Sequence, residues 1–402
     1  MRPGAVAAVS LVAALVGGLG ALAVGDATGW LDDTQTVVLD RGDDAGGTSE
    51  PARVDLDTKA KALSGNEFDP ARIYAARVEG VVTIFAVFGS EESPSSSQGS
   101  GFLVTDDGLV LTNSHVVTTA GDGNLEGKVD EARTVYVQYP DGDRVDADVV
   151  GWDPFTDVAV LRVDPADHPV APVPLGDSGR VVVGEPVAAI GSPFGNASSL
   201  AVGVVSATGR SVDSLTSRYS VVDAIQIDAP INRGNSGGPL FDARGTVVGV
   251  NAQIRSESGR NEGVGFAIPI NAAKRSLEQL VATGTVSYAF VGIQSTDITP
   301  SIAEELDLPV RRGALVTNVD PDTPAEKAGI RAGTEEVEVN GLTLAVGGDL
   351  IVGIDGRPVR GADDVVRYVT DDLDPGDVTV FTVIRDGRRT RVPVTLGARR
   401  LP

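Results

Sequence analysis

The residues best suited to chemistry form a glycine-rich run, Gly234–Leu240, with the sequence GNSGGPL. A serine nucleophile needs its hydroxyl on a tight turn, with backbone N–H groups directed at the oxyanion that develops during attack. Glycines on both sides of Ser236 permit such a turn and let a substrate backbone approach closely. The oxyanion hole would be formed by Gly234, Asn235 and Ser236, chiefly by the N–H groups of Gly234 and Ser236. The same run is also typical of an ordinary hairpin turn, so a nucleophile requires a base nearby.

The search for a base is short because the chain contains two histidines. His168 lies in a polar turn between Asp167 and Pro169, which indicates a structural or surface role. His115 follows an apolar strand and enters a short helical turn, a position from which an imidazole can face a cleft. His115 is therefore the candidate general base.

The third member of such a site is a buried carboxylate that orients the imidazole. Asp157 begins the apolar stretch DVAVL and is the candidate, although an aspartate at the mouth of a strand is often only a turn cap. Asp153, in a Trp-Asp-Pro turn, and Asp164, beyond the strand, are the rivals. Together His115, Asp157 and Ser236 occur in the order of the chymotrypsin-type double barrel, with the cleft between the barrels.

Six ordered motifs resemble the HtrA (Deg) serine proteases, from about residue 76 to the C-terminus. They are Gly99–Leu103, Thr112–Val117, Asp157–Leu161, Gly191–Gly195, Asn232–Leu240 and Gly263–Pro269. The resemblance implies that His115 is the general base, Asp157 its orienting carboxylate and Ser236 the nucleophile. The family often has alanine where this chain has Ser114, a change that we expect to be tolerated.

The specificity of such a site can be predicted in part. A preference for lysine or arginine rests on an acid six residues before the nucleophile, where this chain has Pro230. Ala229, Ile231 and Phe266 indicate instead a modest apolar pocket for small aliphatic side chains, as in the family. We expect Asp228 to be a structural acid.

A second site follows in the C-terminal part of the chain. Phe290, Val291, Gly292 and Ile293 resemble the loop with which PDZ domains hold a peptide's C-terminal carboxylate, because N–H groups around a glycine form an anion-accepting nest. Three further segments match the same fold: Ala314–Val316, Pro324–Ile330 and Gly348–Gly356. The segment from Thr334 to Val346 departs from short versions of the fold and predicts an extra hairpin.

The elements that must position these residues are mostly short strands separated by Gly, Pro, Asp or Asn turns. The predicted strands are Val81–Val87, Gly101–Val104, Leu109–Asn113, Val135–Tyr139, Val158–Val163, Val187–Ile190, Ala201–Ala207, Ala224–Ile227 and Thr246–Ile254. An amphipathic run from Asn271 to Val281 predicts a helix, capped by Asn271 and ended by Gly284. The fold class expected is mostly β: a chymotrypsin-like double β-barrel followed by a small α+β PDZ domain with helices at Pro324–Ala328 and Ala362–Val369.

Four segments follow from these patterns: residues 1–25, 26–70, 71–284 and 285–400. In the first, a run without charge from Pro3 to Gly25 follows Arg2, which predicts either a cleaved export signal or a membrane anchor. The second is an acidic linker, and the third and fourth are the protease and PDZ domains.

Composition excludes several functions. The 402 residues carry 33 basic and 56 acidic side chains, a net charge of −23, so nucleic acid is an unsuitable partner. The absence of cysteine excludes disulfides, thiol catalysis and cysteine zinc sites. We expect no metal and no cofactor.

The resemblance implies endoproteolysis of unfolded or damaged proteins outside the cytoplasm, with apolar peptide C-termini bound by the PDZ domain. The alternative is a catalytically silent scaffold that only binds peptides. The resemblance also implies a homotrimer formed by residues before the first barrel, where Ile73, Tyr74 and Val78 are candidate contacts.

Overall fold

The computed structural model describes residues 68–90, 92–122, 129–192, 198–217, 220–252 and 263–399, which belong to one compact unit, Ala60–Pro402. The expected export signal or anchor and nearly all of the expected acidic linker lie outside the described residues. Within them, no helix is both long enough and apolar enough to cross a membrane.

The first barrel follows a short helix, α1 (Pro70–Arg77), whose N-terminus is capped by Asp69. Its six strands are β1 (Val81–Ser90), β2 (Ser93–Leu103), β3 (Leu109–Thr112), β4 (Thr134–Gln138), β5 (Arg144–Asp153) and β6 (Val158–Arg162). They close antiparallel in the order β1-β2-β3-β6-β5-β4, and a one-turn helix, α2 (Ser114–Val117), leaves the end of β3. Buried valines, leucines and isoleucines fill the interior, as expected for strands of branched residues.

The second barrel repeats this plan. Its strands are β7 (Pro186–Gly191), β8 (Ser199–Asp213), β9 (Ser220–Ile227), β10 (Pro239–Phe241), β11 (Val247–Ala252) and β12 (Gly265–Pro269). They close in the order β10-β11-β12-β9-β8-β7. The nucleophile turn lies immediately before β10, and α2 lies immediately after β3, so each barrel contributes one side of the site.

Helix α3 (Ile270–Thr283) packs against both barrels. Its buried residues Ile270, Ala273, Ser276 and Leu280 form one stripe and join the cluster that fills the space between the barrels. Gly284 ends the helix in the left-handed conformation, as predicted. The predicted cap is wrong: Pro269 occupies that position, and Asn271 lies inside the first turn, where its amide binds Asp177 Oδ1 at 2.8 Å.

The C-terminal domain is built on a six-stranded sheet flanked by short helices. Its elements are β13 (Ala289–Phe290), β14 (Ile293–Asp297), α4 (Pro300–Glu305), β15 (Ala314–Val319), α5 (Pro324–Ala328), β16 (Glu335–Val339), β17 (Leu342–Val346), β18 (Leu350–Ile354), β19 (Arg357–Pro358), α6 (Ala362–Asp372), β20 (Val378–Arg385), β21 (Arg388–Thr395) and β22 (Gly397–Ala398). The sheet order is β14-β15-β18-β20-β21, with β19 paired to β18 and β13 paired to β22. Strand β14 is therefore an edge strand.

The predicted extra hairpin is confirmed as β16 and β17, which pair antiparallel. Val339 and Leu344 bury their side chains against Ile302 of α4, and Asn340 Nδ2 donates to Ser301 Oγ at 3.1 Å. The hairpin thus packs on its own domain.

Candidate active site

His115 and Asp157 meet at the mouth of the first barrel. Helix α2 presents the imidazole from the end of β3, and Asp157 precedes β6, the strand that pairs with β3. His115 Nδ1 lies 2.7 Å from Asp157 Oδ2, a short hydrogen bond that fixes the ring orientation. The predicted base and its predicted orienting carboxylate are therefore in contact.

The backbone of Asp157 is held as firmly as its side chain. The residue adopts a left-handed conformation, φ 56°, which is uncommon for a residue with a Cβ. Its carbonyl accepts from Asn113 Nδ2 at 2.7 Å and from the N–H of Ser114 at 3.3 Å. The segment before the base thus holds the carboxylate in place.

The charge of this carboxylate changes the basicity of the imidazole. Burial of His115 favours its neutral form, but the charge of Asp157 and the hydrogen bond to it outweigh burial and hold the pKa of His115 above its usual value. A general base accepts a proton only when neutral, so any reaction in which His115 is the base should fail as the pH falls through this raised pKa.

Ser236 lies in a turn that is held by the first barrel. The N–H of Ser100 donates to the Ser236 carbonyl at 2.8 Å, and Ser100 Oγ donates to the Gly234 carbonyl at 2.6 Å. Gly237 follows in the left-handed conformation, φ 85°, and its N–H donates to the Asn251 carbonyl at 2.8 Å. The two barrels thus fix the backbone on both sides of Ser236.

The hydroxyl of Ser236 is buried, with 3% of the residue exposed, and no hydrogen-bond partner lies within reach among the described residues. The last hydrogen bond of a triad, between Ser236 Oγ and the His115 imidazole, is therefore not formed here. Catalytic hydrogen bonds are often loose without substrate. The N–H of Asn235 already donates to the Asn232 carbonyl at 3.0 Å, which leaves those of Gly234 and Ser236 for an oxyanion.

The two rival acids have other partners. Asp153 is fully buried and accepts hydrogen bonds from Ser276 and Tyr288, whereas exposed Asp164 accepts from the N–H of Ala166. Neither is paired with His115.

The other histidine lies apart from this arrangement. His168 stacks on Tyr139 with ring centroids 3.6 Å apart, and its Nε2 lies 3.0 Å from Asp141 Oδ2. Asp141, Asp143 and His168 bring three potential metal-ligating atoms within 4.8 Å of one another. Because His168 already pairs with Asp141, this group by itself does not indicate a metal.

The predicted pocket residues occupy two adjoining places. Ala229 and Ile231 are buried in the core of the second barrel, and a methyl group on Gly265 would lie 2.9 Å from Ile231 Cγ1. Phe266, the next residue of β12, is half-buried and lines a small cavity that also contacts Asp157. The carboxylate of Asp228 accepts from the N–H of Val204 at 2.6 Å, so it serves the backbone of β8.

The predicted carboxylate-binding loop connects β13 to the edge strand β14. Gly292 has φ 87°, and a methyl group there would lie 2.3 Å from Thr323 Cβ, so only glycine fits. Val291 is buried, Phe290 pairs with Gly397 of β22, and Ile293 begins β14. The four residues therefore lead directly into an edge on which an extended peptide could pair.

Several polar residues that hold the site were not singled out from the sequence. Ser100 binds the turn that contains Ser236, Asn113 binds the backbone of Asp157, and Thr112 Oγ1 donates to the Ser100 carbonyl at 2.7 Å. Their positions inside the motifs Gly99–Leu103 and Thr112–Val117 are the signal that could have identified them.

Family models match both domains. Residues 99–250 match the trypsin-like peptidase domain, and residues 289–396 match the PDZ domain.

Known proteins resemble most of the chain. A probable periplasmic DegP-like serine endoprotease of Ectopseudomonas mendocina is 36% identical over 366 residues, which are 87% of this chain and 69% of that protein. DegP-like proteins of Brucella suis and Rhizobium meliloti are 39% and 40% identical over 75% of this chain. The chain spans 53% of the length of each of these two.

Solved structures share the fold. The HtrA-type protease AlgW with a tripeptide has a TM-score of 0.67 and 30% identity, covering 83% of this chain and 98% of that one. A serine endoprotease from Yersinia pestis has a TM-score of 0.57 and 27% identity over the same 83% of this chain and 98% of that one.

Proposed function

Because this chain belongs to the DegP-like, HtrA-type serine proteases, we propose that it is an endopeptidase whose nucleophile is Ser236. The observation that carries this proposal is the 2.7 Å hydrogen bond between His115 and Asp157, beside a glycine-rich turn that contains a buried serine. In this proposal His115 is the general base and Asp157 orients it.

The reaction follows from these roles. His115 Nε2 accepts the proton of Ser236 Oγ as that oxygen attacks the carbonyl carbon of the scissile peptide bond. The N–H groups of Gly234 and Ser236 stabilise the resulting oxyanion. The imidazolium then protonates the departing amine, and water, activated by the same base, hydrolyses the acyl-enzyme. Substrate binding must bring Ser236 Oγ into hydrogen-bonding distance of the imidazole.

The choice of substrate follows from the two places at which an extended peptide could pair, the cleft between the barrels and the edge strand β14. An unfolded chain can pair as an extended strand with the cleft and with β14, whereas a folded chain cannot. We propose unfolded or damaged proteins as substrates, with cleavage after small apolar residues that fit beside Ile231 and Phe266. We also propose that the PDZ domain binds apolar C-termini at Phe290–Ile293 and either delivers substrates or regulates the protease in protein quality control and the stress response.

The periplasmic relatives support an extracytoplasmic location, to which residues 1–25 would direct the chain as a cleaved signal or a membrane anchor. We also propose a homotrimer, but Ile73 is no longer a candidate for the contacts between its subunits. Ile73 is only 3% exposed and packs in the core of its own chain, so it is not free to bind a second copy. Tyr74 Oη donates to the Ser198 carbonyl at 2.7 Å, and Val78 is half-buried.

The test is labelling of the full chain with a fluorophosphonate probe and digestion of casein, with and without a peptide that ends in an apolar carboxylate. Labelling and digestion should be abolished by Ser236→Ala and by His115→Ala. His168→Ala is the matched control and should retain both. If the unaltered protein neither reacts nor digests casein under any of these conditions, a peptide-binding scaffold becomes the better function.

A further inference from the structure

Ser114 contacts the carboxylate that orients the base. It is fully buried in α2, and its Oγ donates to Asp157 Oδ1 at 2.8 Å. Alanine at this position could not make this hydrogen bond, so the contact depends on the side chain that this chain carries there.

The donors to Asp157 divide between its two oxygens. Oδ1 accepts from Ser114 Oγ and from the backbone N–H of His115 at 3.0 Å, while Oδ2 accepts from His115 Nδ1. Two donors on Oδ1 restrict rotation of the carboxylate and direct Oδ2 at the imidazole. One of these donors, the N–H, remains whatever residue occupies position 114.

We propose that Ser114 is a positioning residue of the triad, whose hydroxyl restricts the rotation of Asp157 and offsets part of the negative charge that acts on His115. The proposal rests on the proposed function, because it assigns Ser114 an effect on a base and its carboxylate. Ser114 acts through Asp157 and touches neither the nucleophile nor the substrate.

The sign of the effect on His115 follows from the direction of the hydroxyl dipole. Among the described residues, the charged group that acts on the His115 imidazole is Asp157. The positive end of the Ser114 hydroxyl faces that carboxylate and weakens its attraction for a proton on the imidazole. Loss of the hydroxyl should therefore raise the pKa of His115 and move the acidic limb of kcat/KM to higher pH.

The experiment compares Ser114→Ala with Thr118→Val in the full chain. Thr118 is also buried, and its Oγ1 donates to the Ser114 carbonyl at 2.8 Å, so the control removes a neighbouring hydroxyl that does not contact Asp157. NMR of ¹³C-labelled histidine measures the pKa of His115 directly, because only His168 must be distinguished from it. Peptide hydrolysis between pH 5 and 9 gives kcat and KM.

For Ser114→Ala we expect a raised pKa of His115 and a kcat about tenfold lower, with KM unchanged, as for loss of one hydrogen bond to a charged group. Thr118→Val should keep the unaltered pKa and kcat. The proposal is wrong if Ser114→Ala leaves both quantities unchanged, or if both variants change them equally. The NMR titration needs no turnover, so a chain without protease activity would refute the proposed function and still test the contact between Ser114 and Asp157.

Thermal unfolding by circular dichroism shows whether each variant is folded. We expect Ser114→Ala to fold, because alanine removes only the hydroxyl and is a good helix former. If it does not fold, Ser114→Cys, which keeps a weak donor of similar size, replaces it. The expected rise in the pKa of His115 is then smaller but of the same sign, and its absence overturns the proposal.

Discussion

A methyl group on Gly237 would lie 2.2 Å from the Ser100 carbonyl oxygen and 2.3 Å from Thr112 Oγ1. Both atoms belong to the hydrogen-bonded backbone and side chains that hold the nucleophile turn, so neither can move without displacing Ser236. The left-handed φ of 85° adds a second cost for any residue with a Cβ. At the scale of one residue, the site depends on a missing side chain as much as on those present.

We expect Gly237→Ala to reduce the free energy of unfolding by at least about 3 kcal/mol and to abolish labelling of Ser236. Gly142→Ala is the matched control, because Gly142 has a similar φ of 97° but no atom within 4 Å of the added methyl group. It should lose about 1 kcal/mol, the cost of the conformation alone. Urea unfolding measures both, and equal losses would contradict a steric origin.

The identity of the candidate base was predictable because histidine is scarce in this chain. With two histidines in the chain, and one of them in a polar turn, His115 was the natural base. The choice among Asp153, Asp157 and Asp164 was open on pattern alone, because all three border turns. The hydrogen bonds of Ser100 and Ser114 could not be predicted, since the direction of a hydroxyl depends on which strands meet around it.

At the scale of elements, Asp153 joins four segments through one carboxylate. Its Oδ1 accepts from the N–H groups of Phe155 and Thr156, and its Oδ2 accepts from Thr156 Oγ1, Ser276 Oγ and Tyr288 Oη. These donors belong to the turn before Asp157, to α3 and to the segment that enters the PDZ domain. Burial and the charge of Asp153 raise the pKa of Tyr288, so its hydroxyl stays protonated and donates.

Replacement of Tyr288 by phenylalanine removes one donor from this buried charge. We expect the free energy of unfolding to fall by about 1.5 to 3 kcal/mol, because hydrogen bonds to charged groups exceed neutral ones. Tyr74→Phe is the control: it removes a 2.7 Å hydrogen bond to the neutral Ser198 carbonyl and should lose about 1 kcal/mol or less. Denaturant unfolding distinguishes them, and a smaller loss for Tyr288→Phe than for Tyr74→Phe would contradict this prediction.

The strands that could be predicted from the sequence are those with continuous apolar runs. Examples are β1, β3, β6 and β11. Strand β5 was missed because Arg144, Asp146 and Asp148 occupy its exposed face and its valines are only half-buried. Strands β10 and β12 were missed because they are short and border glycines. Barrel closure supplies their partners, and that information is not local to the sequence.

At the scale of the whole molecule, the change from the protease core to the PDZ core falls after Tyr288, whereas the sequence pattern placed the domain boundary after residue 284. Val286 and Tyr288 belong to the core between the barrels, whereas Ala289 begins the PDZ core. A chain ended after residue 288 should therefore be more stable than one ended after 284, by at least about 3 kcal/mol. Calorimetry of the two shortened chains measures this difference, and identical transition temperatures would return the boundary to residue 284.

Side-chain contacts also join the two domains. Arg275 of α3 pairs with Asp371 of α6 at 2.7 Å, and residues of both domains line a cavity of about 550 Å³. Arg399 donates its N–H to the Tyr288 carbonyl at 2.8 Å, and its guanidinium lies over the Phe155 ring. Arg399, at the C-terminal end of the PDZ domain, thus binds Tyr288, the last residue before that domain begins.

Contacts of Tyr288 and Ala289 leave no free linker residue between the two domains. Tyr288 is bound to Asp153, and the next residue, Ala289, is already paired with Ala398. No described residue between the two domains is therefore left without a contact at this junction. Any effector that reorients the PDZ domain must therefore break the contacts of Tyr288 and Arg399 as well as the Arg275–Asp371 ion pair.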